Sequence, residues 1–244
     1  MTKIESKAID FIKKNILLFL LGAVSIIAIV IRACGMDFQS DDFNSFLNSW
    51  WSIIKLNDFT GLATQVGNYN IPYQVIIYLM TLLPLNALYA YKIVSIIFDF
   101  VLAISTAMLV YSFAKNNRRL KAILTYSAVL LSATVIFNSS FWAQCDSIYT
   151  SFISLAILFL HKDKPIASFV FIGIAFAFKL QTVFIIPVLL YYWISTKKIS
   201  ILHFFIIPAV DVIMCLPAII MGRPFIDIIT IYACLLYTSP SPRD

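Results

Sequence analysis

Long apolar runs separated by short polar connectors constrain this 244-residue chain more than any other feature. Its mean hydropathy is +0.92, with 61% hydrophobic and only 12% charged residues, a balance far from that of soluble domains. A run of about 20 apolar residues can cross the hydrocarbon core of a bilayer as a helix. The fold class is therefore predicted as an all-α, polytopic transmembrane bundle of about seven spans. They fall at residues 15–31, 90–113, 121–138, 143–160, 165–179, 181–195 and 200–221.

Basic residues set the orientation of these spans. Four precede the first span, four lie in connector 115–121, and connectors 162–164 and 197–198 carry two each. The alternate connectors have no such excess. By the positive-inside rule, the N-terminus and the basic connectors are cytoplasmic. We expect a multi-pass protein of a bacterial cytoplasmic membrane, embedded in the lipid bilayer, with its functional groups on the outer face.

One large outer loop follows the first span. Within it, segment 71–83 is apolar but too short for a hydrocarbon core of about 30 Å, and it ends at Pro84. If it crossed, connector 115–121 would fall outside and break the charge rule. The segment is therefore predicted as a juxtamembrane or re-entrant helix, with Trp50 and Trp51 at the same interface.

The end of the chain departs from this pattern. Residues 1–233 are interpreted as one transmembrane domain, whereas 234–244 (CLLYTSPSPRD) change composition abruptly and look like translated sequencing-adapter sequence. We exclude that tail from the fold, as one would a fusion scar. We expect the natural chain to continue beyond about residue 233 and this to be an N-terminal piece of it.

Two adjacent carboxylates, Asp41 and Asp42, lie early in the predicted outer loop, directly after Ser40. A carboxylate beside a sugar hydroxyl can act as a general base, or it can hold a divalent cation on a phosphate. The alternative is helix capping, because these residues precede Phe43 and Leu47 at helical spacing. Either role, or one for each carboxylate, fits the pattern.

Charged residues also lie within or at the end of predicted spans. Asp99 is two turns inside the second span, seven residues after Lys92 and on the same face. A carboxylate at that depth is by default a candidate functional residue. The alternative is a structural partner for Lys92 or Lys179. Arg32 ends the first span on the predicted outer side.

The remaining candidates lie at outer connectors. Gln144 and Asp146 open the fourth span, where capping and the helix dipole also favour an aspartate. Trp142 suits an interfacial belt or a platform on which a sugar stacks. Lys179 and Arg223 suit an anionic lipid phosphate or pyrophosphate, and otherwise would reach for lipid headgroups. The full set of candidate substrate-binding residues is Arg32, Asn70, Tyr73, Lys92, Asp99, Trp142, Gln144, Asp146, Lys179, Gln181 and Arg223.

Several classes of function have no support in the residues. No Walker loop, dinucleotide fingerprint or HExxH motif occurs. The four cysteines lack paired spacing, so neither a disulfide framework nor a zinc site is indicated. The net charge of +6 orients spans, and no nucleic-acid partner is expected. No cofactor is required, although paired carboxylates could hold Mg²⁺ or Mn²⁺.

Taken in order, five motifs resemble a known family. They are Ser40-Asp41-Asp42-Phe43, Tyr69-Asn70-Ile71-Pro72-Tyr73, the Lys92 to Asp99 span, Trp142-Ala143-Gln144-Cys145-Asp146-Ser147 and Phe178-Lys179-Leu180-Gln181. Together they cover about 30–223 and resemble the GT-C superfamily of membrane glycosyltransferases. Within it, the chain looks most like the GPI-type mannosyltransferases and their bacterial relatives.

This resemblance implies an enzyme that transfers a sugar with inversion at the outer face. The donor would be a polyprenyl-phosphate-linked hexose such as mannose, and the acceptor a glycan or lipid. It implies that Asp41 is the catalytic base with Asp42 as helper, and that Lys179 and Arg223 hold the donor's phosphate. The family has further spans and a C-terminal outer region that this sequence does not contain, which puts part of the acceptor site in doubt.

Two other functions stay open. In a secondary transporter or lipid flippase, Lys92, Asp99 and Lys179 would form a transport path. Transporters place such groups near the midplane within repeated halves, whereas this chain shows no internal repeat and its polar residues are skewed outward. In a non-catalytic membrane subunit that scaffolds another enzyme, Asp41 would tolerate replacement.

Overall fold

The computed structural model describes residues 2–228 and 230–231, and every regular element within them is helical. The proposed foreign tail, 234–244, lies outside the described residues. The α-helices are α1 (Lys3–Lys14), α2 (Ile16–Ala33), α3 (Asn48–Asn57), α4 (Ile71–Thr81), α5 (Ala87–Phe113), α6 (Arg118–Leu130), α7 (Ala133–Ile136), α8 (Asp146–His161), α9 (Pro165–Phe178), α10 (Ile186–Thr196), α11 (Ile206–Met214) and α12 (Leu216–Ile220). Two π-helical turns, Phe43–Leu47 and Phe137–Phe141, and three 3₁₀ segments, Asp58–Ala63, Leu180–Ile185 and Ile201–Phe205, extend or join them.

Two of these helices, α2 and α5, are long and apolar enough to cross a membrane. A third crossing is formed if α6 and the helical stretch Ala133–Phe141, bent by 50°, count as one span. The other apolar helices among the described residues are shorter. The all-α class is confirmed and membrane-crossing helices are supported, while the count of seven spans stays a prediction.

Helix α5 is the centre of the bundle and packs against α6 and α8. Helix α8 also packs on α9, and α9 on α11, while α2 lies along α6. Small residues permit the close approaches: a Cβ on Gly173 of α9 would lie 2.7 Å from Val210 Cβ of α11. The helices predicted as spans thus form one continuous packed unit.

The outer loop folds back as packed helices. Leu47, Trp50, Trp51 and Ile54 repeat at helical spacing, and all four are buried in the core that α3 forms with α4 and the start of α5. Tertiary packing covers both rings, and the location of Trp50 and Trp51 at the membrane interface stays a prediction. Helix α4 begins where Asn70 Oδ1 accepts a hydrogen bond from Ile71 N at 2.8 Å.

The connectors separate to two ends of the bundle. At one end, Leu17 and connector residues 115–120 line the same cavity, His161 Nε2 is 3.4 Å from Ser112 O, and Asp163 pairs with Lys198 at 2.8 Å. We call this the basic end. The opposite end carries Asp41, Asp42 and the starts and ends of helices that hold the other candidates. This separation is what alternating basic and non-basic connectors predict.

Candidate functional site

Five side chains meet at the end of the bundle opposite the basic end, and we call them the rim cluster. They come from four separate segments: the turn before α3, the loop before α4, the start of α8 and the end of α9. Contacts described below join them into one polar patch, and its members are Asp42, Tyr69, Gln144, Asp146 and Lys179.

Ser40 supplies a side-chain cap to the helical turn that contains the two carboxylates. Its Oγ accepts a hydrogen bond from Phe43 N at 3.1 Å and donates to Trp142 O at 3.2 Å. The side-chain cap is thus supplied by Ser40. Asp41 is exposed and makes no hydrogen bond or ion pair with any described residue, whereas Asp42 Oδ2 accepts from Gln144 Nε2 at 2.8 Å.

A directed chain of hydrogen bonds crosses the rim cluster. The Tyr69 hydroxyl donates to Gln144 Oε1 at 2.8 Å, and the Gln144 amide nitrogen donates to Asp42. Burial raises the pKa of Tyr69 well above its usual value, and the nearby Cys145 and Asp146 raise it further. The phenol therefore keeps its proton and stays a donor, which fixes the orientation of the Gln144 amide.

The loop that carries Tyr69 is held by its backbone. Gly67 adopts a φ of 71°, and a Cβ there would lie 2.2 Å from Cε2 of Trp50, so only glycine fits. Gln65 Nε2 donates to the carbonyl oxygens of Gly67 and Tyr69, both at 2.8 Å. The Tyr69 ring packs edge-on against Trp50, with centroids 5.6 Å apart, and against Tyr73 at 4.8 Å.

An ion pair between Asp146 and Lys179 forms the other half of the rim cluster. Asn138 Nδ2 donates to Asp146 Oδ2 at 3.0 Å, and Lys179 Nζ lies 5.6 Å and 5.7 Å from the ring centroids of Tyr69 and Tyr149. The side chains of Lys179 and Asp146 are 19% and 39% exposed. This pair is ordered by its neighbours yet open to a ligand.

Among the predicted site residues outside the rim cluster, Asp99, Arg32 and Lys92 are buried in the bundle. Asp99 is fully buried: its Oδ2 accepts from Arg32 Nε at 2.9 Å and from Ser139 Oγ at 2.5 Å, and its Oδ1 accepts from Ser147 Oγ at 2.5 Å. The partner of Asp99 is thus Arg32 and not Lys92 or Lys179, because α2 packs close enough to α5 and α6 for the guanidinium to reach.

Lys92 has a different set of partners. Its Nζ donates to the carbonyl oxygens of Gly35, Met36 and Phe38, at 2.7, 3.1 and 2.5 Å. These are carbonyl groups of the turn that follows α2, where a cation is favourable. The structure therefore gives Lys92 a role in closing the end of α2, with its side chain fully buried.

The remaining candidates have separate surroundings. Arg223 is buried, and its Nη2 donates to Gln65 Oε1, but its Nε and Nη1 have no hydrogen-bond partner among the described residues. Burial lowers the pKa of Arg223. Asn70 Nδ2 donates to Asp211 Oδ1 at 3.3 Å. Gln181 and the Trp142 ring are exposed, and Tyr73 is buried beneath Tyr69.

Four residues that contact the predicted site residues are not among the candidates from the sequence: Tyr69, Asn138, Gln65 and Tyr149. Tyr69 lies inside the motif Tyr69-Asn70-Ile71-Pro72-Tyr73, but its contact with Gln144 depends on the tertiary fold. Within residues 2–228 and 230–231, no group of three or more His, Cys, Asp or Glu side chains is arranged to hold a metal ion.

Comparison of the chain with protein families, with curated proteins and with solved structures finds no match in any of the three.

Proposed function

We propose that the chain is an integral-membrane glycosyltransferase of the GT-C type. It would move a hexose, such as mannose, from a polyprenyl-phosphate donor to a glycan or lipid acceptor at the outer face of a bacterial cytoplasmic membrane. The observation that carries the proposal is the rim cluster, in which Asp42, the oriented Gln144 amide and the partly exposed Lys179 meet directly beside the exposed Asp41, at the end opposite the basic connectors.

The carboxylate pair supplies a base to the acceptor hydroxyl. Asp41 is exposed and has no partner among the described residues, so its lone pairs are free to take a proton. Asp42 is tied to Gln144 and holds the turn in place, which fixes the position of Asp41. In this assignment Asp41 is the base and Asp42 its positioning neighbour.

Lys179 and Arg223 are assigned to binding the phosphate of the donor. A phosphate leaving group gains negative charge as the glycosidic bond breaks, and cations stabilise that charge without an acid. Lys179 is partly exposed beside Tyr69, and the buried Arg223 has two guanidinium nitrogens without a partner among the described residues. Gln65 joins Arg223 to the loop that carries Tyr69, since it accepts from Arg223 and donates to the Tyr69 carbonyl oxygen.

The lipid tail of such a donor needs a bundle that reaches it in the bilayer. We propose seven crossings, formed by α2, α5, the bent α6–α7 pair, α8, α9 and the two apolar stretches Leu180–Thr196 and Ile201–Met214. The meeting of the basic connectors at one end supports this arrangement. The bonding of both Asp99 oxygens to protein groups weighs against the transporter alternative, in which Asp99 would be open to a substrate.

The deciding experiment incubates membranes that carry the full chain with a panel of radiolabelled polyprenyl-phosphate sugars. We expect one donor to label an acceptor, and Asp41→Asn to lower the transfer rate by about 10²-fold or more while membrane insertion is unchanged. Asp58→Asn is the matched control, since it removes the same charge from the same loop and asparagine has the same shape as aspartate. Wild-type transfer by Asp41→Asn would remove the base from the mechanism.

A further inference from the structure

Two adjoining cavities lie at the basic end, far from the rim cluster. The larger, of 690 Å³, lies between α2, α5 and α6, and the second, of 650 Å³, lies beside the connector that joins α5 to α6. Both volumes fall in the range of small-molecule sites. Tyr111 and Arg118 line both, so the two cavities meet at these residues. The lining of the larger is mainly apolar, with Leu21, Ile104, Ala107, Met108, Ala122 and Ile123.

The second cavity and the mouth of the first are positively charged. Four basic side chains line the two cavities, and no carboxylate occurs among their described lining residues. Asp163, beside Lys162, is paired with Lys198 instead. An anion is therefore the ligand that matches this surface in charge; the basic residues are Lys115, Arg118, Arg119 and Lys162.

Arg118 is held where the two cavities meet. Its Nε donates to Tyr111 O at 3.1 Å, and its guanidinium lies 5.0 Å from the Tyr111 ring centroid. Its two terminal nitrogens make no hydrogen bond with any described residue. An arginine fixed in this way presents two parallel donors, the geometry that suits a phosphate.

The larger cavity suits a hydrocarbon chain. It lies against α2 and α5, the two helices long and apolar enough to cross a bilayer. Two of its polar residues, Ser25 and Tyr126, hydrogen-bond to each other at 2.8 Å, so this pair is already satisfied without a ligand. An apolar cavity that continues into a basic one has the polarity of a lipid with an anionic headgroup.

We propose that this junction binds an anionic phospholipid from the basic-end leaflet. Its phosphate would lie at Arg118 and the neighbouring basic residues, and one acyl chain would lie between α2, α5 and α6. Basic pockets between transmembrane helices on the cytoplasmic side are a favourable setting for such headgroups. The site is separate from the rim cluster, so its test is independent of sugar transfer.

The test uses the full chain in phosphatidylcholine vesicles that contain phosphatidylglycerol with a photoactivatable diazirine in its acyl chain. After illumination, mass spectrometry maps the modified peptides. We expect labelling in α2, α5 and α6 around Leu21, Met108 and Ile123, and much less from a phosphatidylcholine probe with the same chain. Equal labelling by both probes would show only bulk lipid beside the helices and would overturn the proposal.

Charge variants distinguish binding of the phospholipid at this site from general attraction of anionic lipid to the basic end. Arg118→Gln combined with Lys162→Gln should lower phosphatidylglycerol labelling about tenfold. Lys121→Gln combined with Lys164→Gln removes the same charge from the same connectors but from residues that line neither cavity, and should leave labelling unchanged. An equal loss in both double variants contradicts the site.

A second variant keeps the test decisive if the first double variant does not insert. Ala122→Phe places a ring in the apolar cavity without changing any charge. Labelling of Ile104 and Ile123 should then fall while overall helix content, measured by circular dichroism, stays at the wild-type level. Unchanged labelling at these positions would show that the acyl chain lies elsewhere, and the proposal would fail.

Discussion

Two ion pairs of this molecule have opposite surroundings. Arg32 and Asp99 are sealed between α2, α5 and α6, and serine hydroxyls occupy both carboxylate oxygens. Asp146 and Lys179 lie at the edge of the bundle, each still partly exposed and bordered by aromatic rings. An unusual charge within an apolar chain marks both pairs equally in the sequence, yet only the second of them is partly exposed.

The difference lies in what each pair leaves free. Burial of an ion pair costs hydration free energy, which only close charged and hydrogen-bonding partners offset. Such a pair therefore constrains how the helices pack. A half-exposed pair contributes little to stability but can exchange partners with a ligand. We therefore expect the sealed pair to govern folding and the rim cluster to govern activity, and each variant below tests one side of that division.

The largest effect is expected from Arg32→Met. It leaves Asp99 buried without its cation, which should lower the free energy of unfolding by about 3–5 kcal/mol. The double variant Arg32→Met with Asp99→Leu should recover most of that loss, because no unpaired charge remains. Denaturant unfolding in detergent micelles measures both. A single variant as stable as wild type would show that the pair does not hold the helices together.

Lys179→Met should give the reverse pattern. We expect its free energy of unfolding to fall by at most about 1 kcal/mol, since solvent screens this pair. Transfer from the lipid donor should fall by about 10²-fold, because a charge that stabilises the leaving phosphate is lost. Lys198→Met, which breaks the exposed pair with Asp163 at the basic end, is the control and should transfer normally. Equal transfer by both variants would remove Lys179 from the donor site.

Helix existence could be predicted from apolar run length. The predicted spans 15–31 and 90–113 correspond to Ile16–Ala33 and Ala87–Phe113. The predicted span 121–138 instead bends by 50° after α6, where Ser132 takes an extended backbone conformation with a ψ of 126°. No glycine or proline marks that break, so run length and hydropathy alone do not predict it.

Contacts between distant segments could not be predicted. The order of motifs placed Asp42, Gln144 and Lys179 on one side of the membrane, and the structure brings them to one end of the bundle. The sequence does not indicate which of the charged residues are buried. Arg32 and Asp99 are each predicted as site residues, but they are 67 positions apart, and only the packing of α2 on its neighbours shows that they pair. Hydrophobic periodicity predicts on which face of a helix a residue lies, but it does not predict which residue of another helix it contacts.

Tyr69→Phe tests the chain of hydrogen bonds from Tyr69 through Gln144 to Asp42 within the rim cluster. It removes one hydrogen bond, worth about 1 kcal/mol, and keeps the ring beside Lys179. The Gln144 amide is then free to turn away from Asp42, and we expect transfer to fall about tenfold with the affinity for donor unchanged. Tyr149→Phe is the matched control, because its ring also borders Lys179 while its hydroxyl bonds to no described residue. Similar losses in both variants would mean that the rings matter and the hydrogen-bond chain does not.

The smallest perturbation is chemical labelling of cysteines, which tests the position of the two ion pairs without altering either one. Cys34 follows α2 beside the sealed pair and is exposed, whereas Cys145 precedes Asp146 and is buried. The Cys145 thiol is buried, so a bulky maleimide has no access to it. In a Cys234→Ser background, a membrane-impermeant maleimide added to intact cells should therefore label the chain at Cys34, and adding Cys34→Ser should abolish that label. Labelling of Cys34 only after the cells are opened would place the rim cluster on the cytoplasmic side, where the proposed donor chemistry has no outer-face acceptor.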